Sequence, residues 1–158
     1  MARVLIIDDS TTVAASLSEA LSHDGHDVAT LSEFSQLGSV LDKFDPDVLV
    51  LDLLMPGFSG IQFARFVQRF NNNPPPIILH SGSDPEMMKI AAREIKPFEV
   101  VPKGTNVRDL RRAVARGVSE RRRRAMPALA NGSETKSNAN EGTGARPLPN
   151  RATQRKIP

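Results

Sequence analysis

The chain has 158 residues, enough to bury one good core and carry a tail, and a net charge of +3. It contains no cysteine, which excludes disulfides, thiolate metal sites and cysteine nucleophiles, and its aromatics, 4% and all phenylalanine, argue against stacking platforms for single-stranded nucleic acid. The charge is uneven: residues 1–120 carry 12 Lys and Arg against 16 Asp and Glu, net −4, whereas residues 121–158 carry 9 against 2, net +7.

The first apolar run, residues 4–7, meets Asp8 and Asp9 at once. No stretch of the chain approaches the roughly 20 apolar residues that cross a bilayer, so neither a secretory signal nor a membrane segment is expected. Val13, Leu17, Ala20 and Leu21 then share one helical face, with Gly25 placed to end the helix. A weaker strand follows at 27–30, and Ser32 is a candidate N-cap for a helix that turns Phe34, Leu37, Leu41 and Phe44 inward. The run 48–51 ends at Asp52, and Ile61, Ala64 and Val67 mark a helix closed by the Asn and Pro residues of 71–76. The run 77–79 leads to His80 and Ser81. Ser83 or Asp84 can cap the next helix, whose first turn holds Pro85, where a missing N–H costs nothing; Met87 and Met88 read as its ordinary packing residues. Val100 and Val101 form a last strand ahead of Lys103, and Thr105 or Asn106 starts a final helix. That helix turns Val107, Leu110, Val114 and Val118 inward and Arg108, Arg111, Arg112 and Arg116 outward. Beyond it the composition shifts to Ala, Asn, Gly, Ser, Thr and Pro without a periodic apolar face, which predicts one domain over 1–124 and a disordered basic tail over 125–158.

Short runs rich in Val and Ile that do not strictly alternate suit parallel strands buried on both faces. Five strand–helix alternations therefore predict an α/β, doubly wound, five-stranded parallel sheet. Such sheets place their sites beyond the carboxyl ends of the strands, where Asp8, Asp9, Asp52, Ser81 and Lys103 all fall. Three neighbouring carboxylates repel by about 4 kcal/mol per pair at roughly 4 Å and an effective dielectric near 20, so positive charge must sit among them. An oxygen-only donor set without His or Cys favours Mg²⁺, with Lys103 as a point charge and Ser81 as a hydroxyl donor to an anionic oxygen. His23, His26 and His80 have no metal-ligand spacing, and His80 reads as structural. The arginines at 121–124 read as a solvated helix end; without a reader domain, specific DNA binding is not expected.

Taken together, these residues resemble the bacterial two-component response regulator receiver family over roughly residues 2–120. The acidic pair follows Val4, Leu5, Ile6 and Ile7; Asp52 follows Val48, Leu49, Val50 and Leu51; and Met55, Pro56 and Gly60 match the family's Met-Pro-x-x-x-Gly turn. Ser81 matches the Ser/Thr after the fourth strand, and Lys103, 22 residues later, matches the family Lys. The resemblance implies a flavodoxin-like fold and a cytoplasmic phosphorelay switch. In it Asp52 accepts a phosphoryl group from a sensor histidine kinase or histidine phosphotransfer protein, and output passes to a downstream protein by contact. It further implies Mg²⁺ held by Asp8, Asp9, Asp52 and the main-chain carbonyl of Leu54. The chain would then be no enzyme toward a separate substrate, but an acceptor that assists its own phosphoryl transfer and autodephosphorylation. Two positions differ from the usual pattern: Val100 stands where many members carry an aromatic, and Gly104 follows Lys103 where the family favours proline. The missing aromatic lends support to an alternative, a pseudo-receiver that binds partners without phosphorylation. A haloacid-dehalogenase-like phosphatase would need a second Asp at the position of Leu54 and is set aside.

Overall fold

In a computed structural model, residues 1–70 and 72–126 are described. The tail expected from 125 lies, beyond Met126, outside the described residues, and Ala125 itself is still helical. The elements run β1 (Arg3–Ile7), α1 (Thr11–His23), β2 (Asp27–Leu31), a 3₁₀ turn (Phe34–Gln36), α2 (Leu37–Phe44), β3 (Val48–Leu51), α3 (Gly60–Phe70), β4 (Ile77–Leu79), α4 (Pro85–Ile95), β5 (Glu99–Val100) and α5 (Val107–Ala125). All strand pairs are parallel and the order is β2-β1-β3-β4-β5, the predicted doubly wound sheet.

Alternation within each strand divides the core between the two faces. Leu5, Ile7, Leu49, Leu51, Ile77 and Leu79 point to one side, where they meet Leu37 and Leu41 of α2, Phe63 and Val67 of α3, and Ala91 and Ile95 of α4. Val4, Ile6, Val48, Val50 and Ile78 point to the other, against Ala14, Leu17 and Leu21 of α1 and Leu110, Val114 and Val118 of α5. Both faces of the central strands are thus covered, which is why these runs are continuously apolar. Full burial of one such Leu or Ile side chain is worth about 1.5–3 kcal/mol, and a one-residue slip of register would exchange the two sets.

The helix ends follow local chemistry. Ser10 caps α1 by accepting from the Val13 N–H, Asp84 caps α4 ahead of Pro85, and Asn106 caps α5. Gly25 follows the end of α1 at φ +81°. The expectation at Ser32 fails: the segment opens with the 3₁₀ turn, and neither it nor α2 has a side-chain cap. Val100 also departs, since β5 is a two-residue edge strand and Val100 is 38% exposed rather than buried on both faces. Of the two methionines on α4, Met88 packs on the core while Met87 is exposed.

Candidate functional site

The order reverses at β1, whose neighbours β2 and β3 leave in opposite directions, so a crevice opens beyond its carboxyl end. Ladder hydrogen bonds persist past the strand ends and fix the residues there. Asp8 N–H donates to the Leu31 carbonyl (3.3 Å), Asp52 N–H to Ile7 (2.9 Å), His80 N–H to Leu51 (2.9 Å) and Lys103 N–H to Ser81 (3.0 Å). The side chains of Asp8, Asp52, Ser81 and Lys103 therefore hang from the frame of the sheet rather than from free loops.

Asp8 and Asp52 are buried, each about 4% exposed, whereas Asp9 faces solvent. One carboxylate oxygen from each of Asp8, Asp9 and Asp52 lies within 4.8 Å of the others. Lys103 Nζ bridges Asp8 Oδ2 (2.7 Å) and Asp52 Oδ2 (2.6 Å). The other oxygen of Asp52 accepts from Ser81 Oγ (2.6 Å) and from the Leu54 N–H (3.1 Å). Asp8 Oδ1 accepts from the Ser10 N–H (2.9 Å), which fixes the carboxylate at the start of α1.

Burial by itself pushes the Asp52 carboxyl up, but hydrogen bonds from Lys103, Ser81 and Leu54 together with the Lys103 charge outweigh it and hold the group below its ordinary value. Burial pulls Lys103 down, and hydrogen bonds to Asp52 and Asp8 with their two charges reverse this and raise it. At neutral pH the site thus presents an ionised carboxylate beside an ammonium. The donor set, carboxylate oxygen only and partly open through Asp9, fits a small hard divalent cation and lacks the nitrogen or sulfur ligands that zinc prefers.

All five sequence-predicted side chains come together. Leu54 follows Asp52 in an exposed loop, where its N–H rather than its carbonyl makes the contact seen with Asp52. Gly60 belongs with the site for a steric reason: a Cβ there would overlap the Asp52 carbonyl oxygen, so only glycine lets α3 start this close to β3. Gly104 has φ +88°, which proline cannot adopt, so the turn after Lys103 differs from one built on Lys-Pro. Sequence reasoning offered Ser83 only as an alternative cap for α4, whereas Asp84 is the cap and the Ser83 hydroxyl lies 2.9 Å from Ser81 Oγ; it missed the anchoring N–H of Ser10. Alternate spacing of the two serines was the available signal for Ser83. His80 is structural, its Nδ1–H donating to the Val101 carbonyl at 2.9 Å and tying the ends of β4 and β5 together.

The doubly wound sheet, its acidic strand-end cluster, one bridging lysine and one hydroxyl place the chain among α/β proteins whose site lies beyond the carboxyl ends of a parallel sheet. The chain belongs to the response regulator receiver domain family, whose pattern matches residues 4–115. Among its relatives is the DNA-binding response regulator MtrA of Mycolicibacterium smegmatis, 33% identical over 82 residues, a match covering 52% of this chain and 36% of that protein. The chain thus spans about a third of the length of the curated relatives it matches. Among solved structures, a CheY-like response regulator receiver domain protein from Methanospirillum hungatei JF-1 superposes with a TM-score of 0.71 at 17% identity, covering 79% of this chain and 99% of that one. The signal receiver domain of a response regulator from Bermanella marisrubri does so with 0.67 at 26% identity, covering 73% and 97%. Among the described residues, no helix is long and apolar enough to cross a membrane.

Proposed function

We propose that this receiver domain accepts a phosphoryl group on Asp52 from a phosphohistidine of a sensor kinase or phosphotransfer protein, in the cytoplasm, and signals by protein contact. The observation that carries the reading is the Asp52 carboxylate itself: ionised, 4% exposed, and held by Lys103 and Ser81 at 2.6 Å each beside two further acids. A depressed carboxyl needs no general base, because it is already the nucleophilic form. An Asp52 oxygen forms the new O–P bond as the N–P bond breaks, and the electron pair of that bond leaves on the imidazole.

Ser81 donates to Asp52 now and can turn its hydroxyl to a phosphoryl oxygen, while Ser83, 2.9 Å away, can steady it. Lys103 supplies a positive charge that can follow the anion from carboxylate to phosphoryl group. Asp8, Asp9, Asp52 and the main-chain carbonyl of Leu54 would hold Mg²⁺, which when bound neutralises charge on the transferring group. The chain acts on itself and on no separate substrate, and water later attacks the phosphorus, breaking the O–P bond to release inorganic phosphate and restore the Asp52 carboxylate. Val100 alone favours the second reading, an interaction module that works without phosphorylation.

The test is incubation of the full chain with Mg²⁺ and acetyl phosphate. We expect a gain of one phosphoryl group, dependent on Mg²⁺ and labile to hydroxylamine as an acyl phosphate is. A folded protein that gains no mass would select the second reading.

A further inference from the structure

Five of the seven phenylalanines form one connected set of ring contacts. Phe34, in the 3₁₀ turn before α2, stacks on Phe58 at 5.0 Å between ring centroids, meets Phe63 edge-on at 5.0 Å and Phe66 at 5.5 Å; Phe66 in turn touches Phe70 at 5.6 Å. Phe63 is buried and accounts for core packing, but Phe58 and Phe70 are 48% and 39% exposed. A groove of about 510 Å³ runs along this ladder, with Phe34, Phe66 and Phe70 as its apolar wall and Gln62, Arg65 and Arg69 as its rim. Gly38 of α2 faces the same rings with no side chain of its own, its Cβ position lying 3.7 Å from Phe66 and 3.8 Å from Phe70.

The charge of the rim indicates what fits. α3 carries two arginines and no acidic residue, in a body whose first 120 residues are net −4. Arg65 makes one exposed ion pair, with Glu94 at 2.7 Å, and Arg69 makes none among the described residues. An apolar wall beside the Arg69 guanidinium, with the exposed Arg65 next to it, matches a segment with an apolar stripe flanked by carboxylates, and arginine forks bind such groups bidentately. A flat anionic bilayer does not fill a concave groove. The position adds a reason: Phe58 sits in the loop that leaves Asp52, so the wall is continuous with the phosphoacceptor loop. We propose that the groove between the 3₁₀ turn and α3 is a docking site for an acidic amphipathic segment of a partner protein. Docking is a property of the groove and does not depend on phosphorylation; only its timing would rest on the reading of Asp52.

The test titrates the full chain, isotope-labelled, with a short synthetic amphipathic helix bearing leucines at i, i+3, i+4 and i+7 and glutamates on the flanking positions, and with its lysine-substituted counterpart. The expected result is saturable shifts at Phe34, Phe66, Arg69 and Phe70 with the glutamate helix and none with the lysine helix. Phe70→Ala, at an exposed helix end where folding is not at risk, should weaken binding about tenfold. Arg69→Glu should abolish it and create binding of the lysine helix. Three outcomes would overturn the proposal: shifts confined to the arginines at 121–124, concentration-dependent shifts of these residues without any peptide, or binding of anionic vesicles through the groove. Because the unphosphorylated protein is used, failure here leaves the acceptor role of Asp52 intact, and failure of Asp52 to gain mass leaves the groove intact.

Discussion

Asp52 and Lys103 are each shifted by the other, and the signs define a pH window. The Asp52 carboxyl is depressed on folding, so its contribution to stability is present above the unfolded value near 3.9 and is lost as pH falls through the lower folded value. Lys103 is raised, so its contribution is complete below roughly 10.4 and is lost as pH rises through the higher folded value. Thermal unfolding in metal-free buffer should therefore lose stability on the acid side, and Asp52→Asn should flatten that limb; an unchanged limb would disprove the coupling. Lys103→Met should cost roughly 3 kcal/mol at neutral pH, because it strands two buried carboxylates, and added Mg²⁺ should recover part of the loss. Asp9→Ala should leave the metal-free fold intact yet weaken Mg²⁺ at least about tenfold by calorimetry, since it removes the solvent-facing member of the acidic trio. The five side chains were legible in the sequence because each follows an apolar run, and parallel strands carry such residues to one edge. Ser10 was not, because its contact is made by a backbone N–H that any residue supplies.

The helices show where sequence pattern stops being informative. Apolar spacing located α1, α2, α3 and α5, and of the paired cap candidates Asp84 and Asn106 are the ones used, yet the spacing passed over Ala14 and Phe63, which the four residues chosen for α1 and the three for α3 left out although both are buried. Ser32 failed as a cap because the chain enters α2 through a 3₁₀ turn that seats Phe34 on the aromatic ladder. Two glycines inside helices separate packing from propensity. At Gly117 an added Cβ would meet Val48, a fully buried strand residue, so α5 lies on β3 with no room for a methyl. Gly117→Ala should gain up to about 1 kcal/mol of helix propensity and lose about 1–3 to overpacking, a net loss read as a lower denaturation midpoint. At Gly38 the neighbours stand at ordinary contact distance, so Gly38→Ala should be neutral or stabilising by roughly 0.5–1 kcal/mol. The opposite order of the two variants would contradict the packing described for α5.

At the scale of the molecule, β5 separates what the pattern of residues can say from what only the fold can. A continuous apolar pair suggested a buried strand, but as the last strand of the order β2-β1-β3-β4-β5 it lies at an edge, and edge position is a property of topology that no local run encodes. The sheet order itself followed from alternation only as far as fold class; register and neighbour choice depend on which faces the helices cover. α5 ends the described chain with Arg121 near Asp45 at 3.4 Å and Arg122 donating to the Met1 carbonyl at 3.0 Å. A chain ending at Met126 keeps these contacts and every residue of the site, so it should unfold cooperatively and be phosphorylated like the full chain. Removing the net +7 of residues 121–158 in part should lower any salt-sensitive attraction to acidic partners first. The central claim, that Asp52 is the phosphoacceptor, is tested most directly by intact mass of the Asp52→Ala variant beside the native chain after incubation with Mg²⁺ and acetyl phosphate. The native chain should gain one phosphoryl group and the variant none, while stoichiometric phosphorylation of the variant would contradict the account.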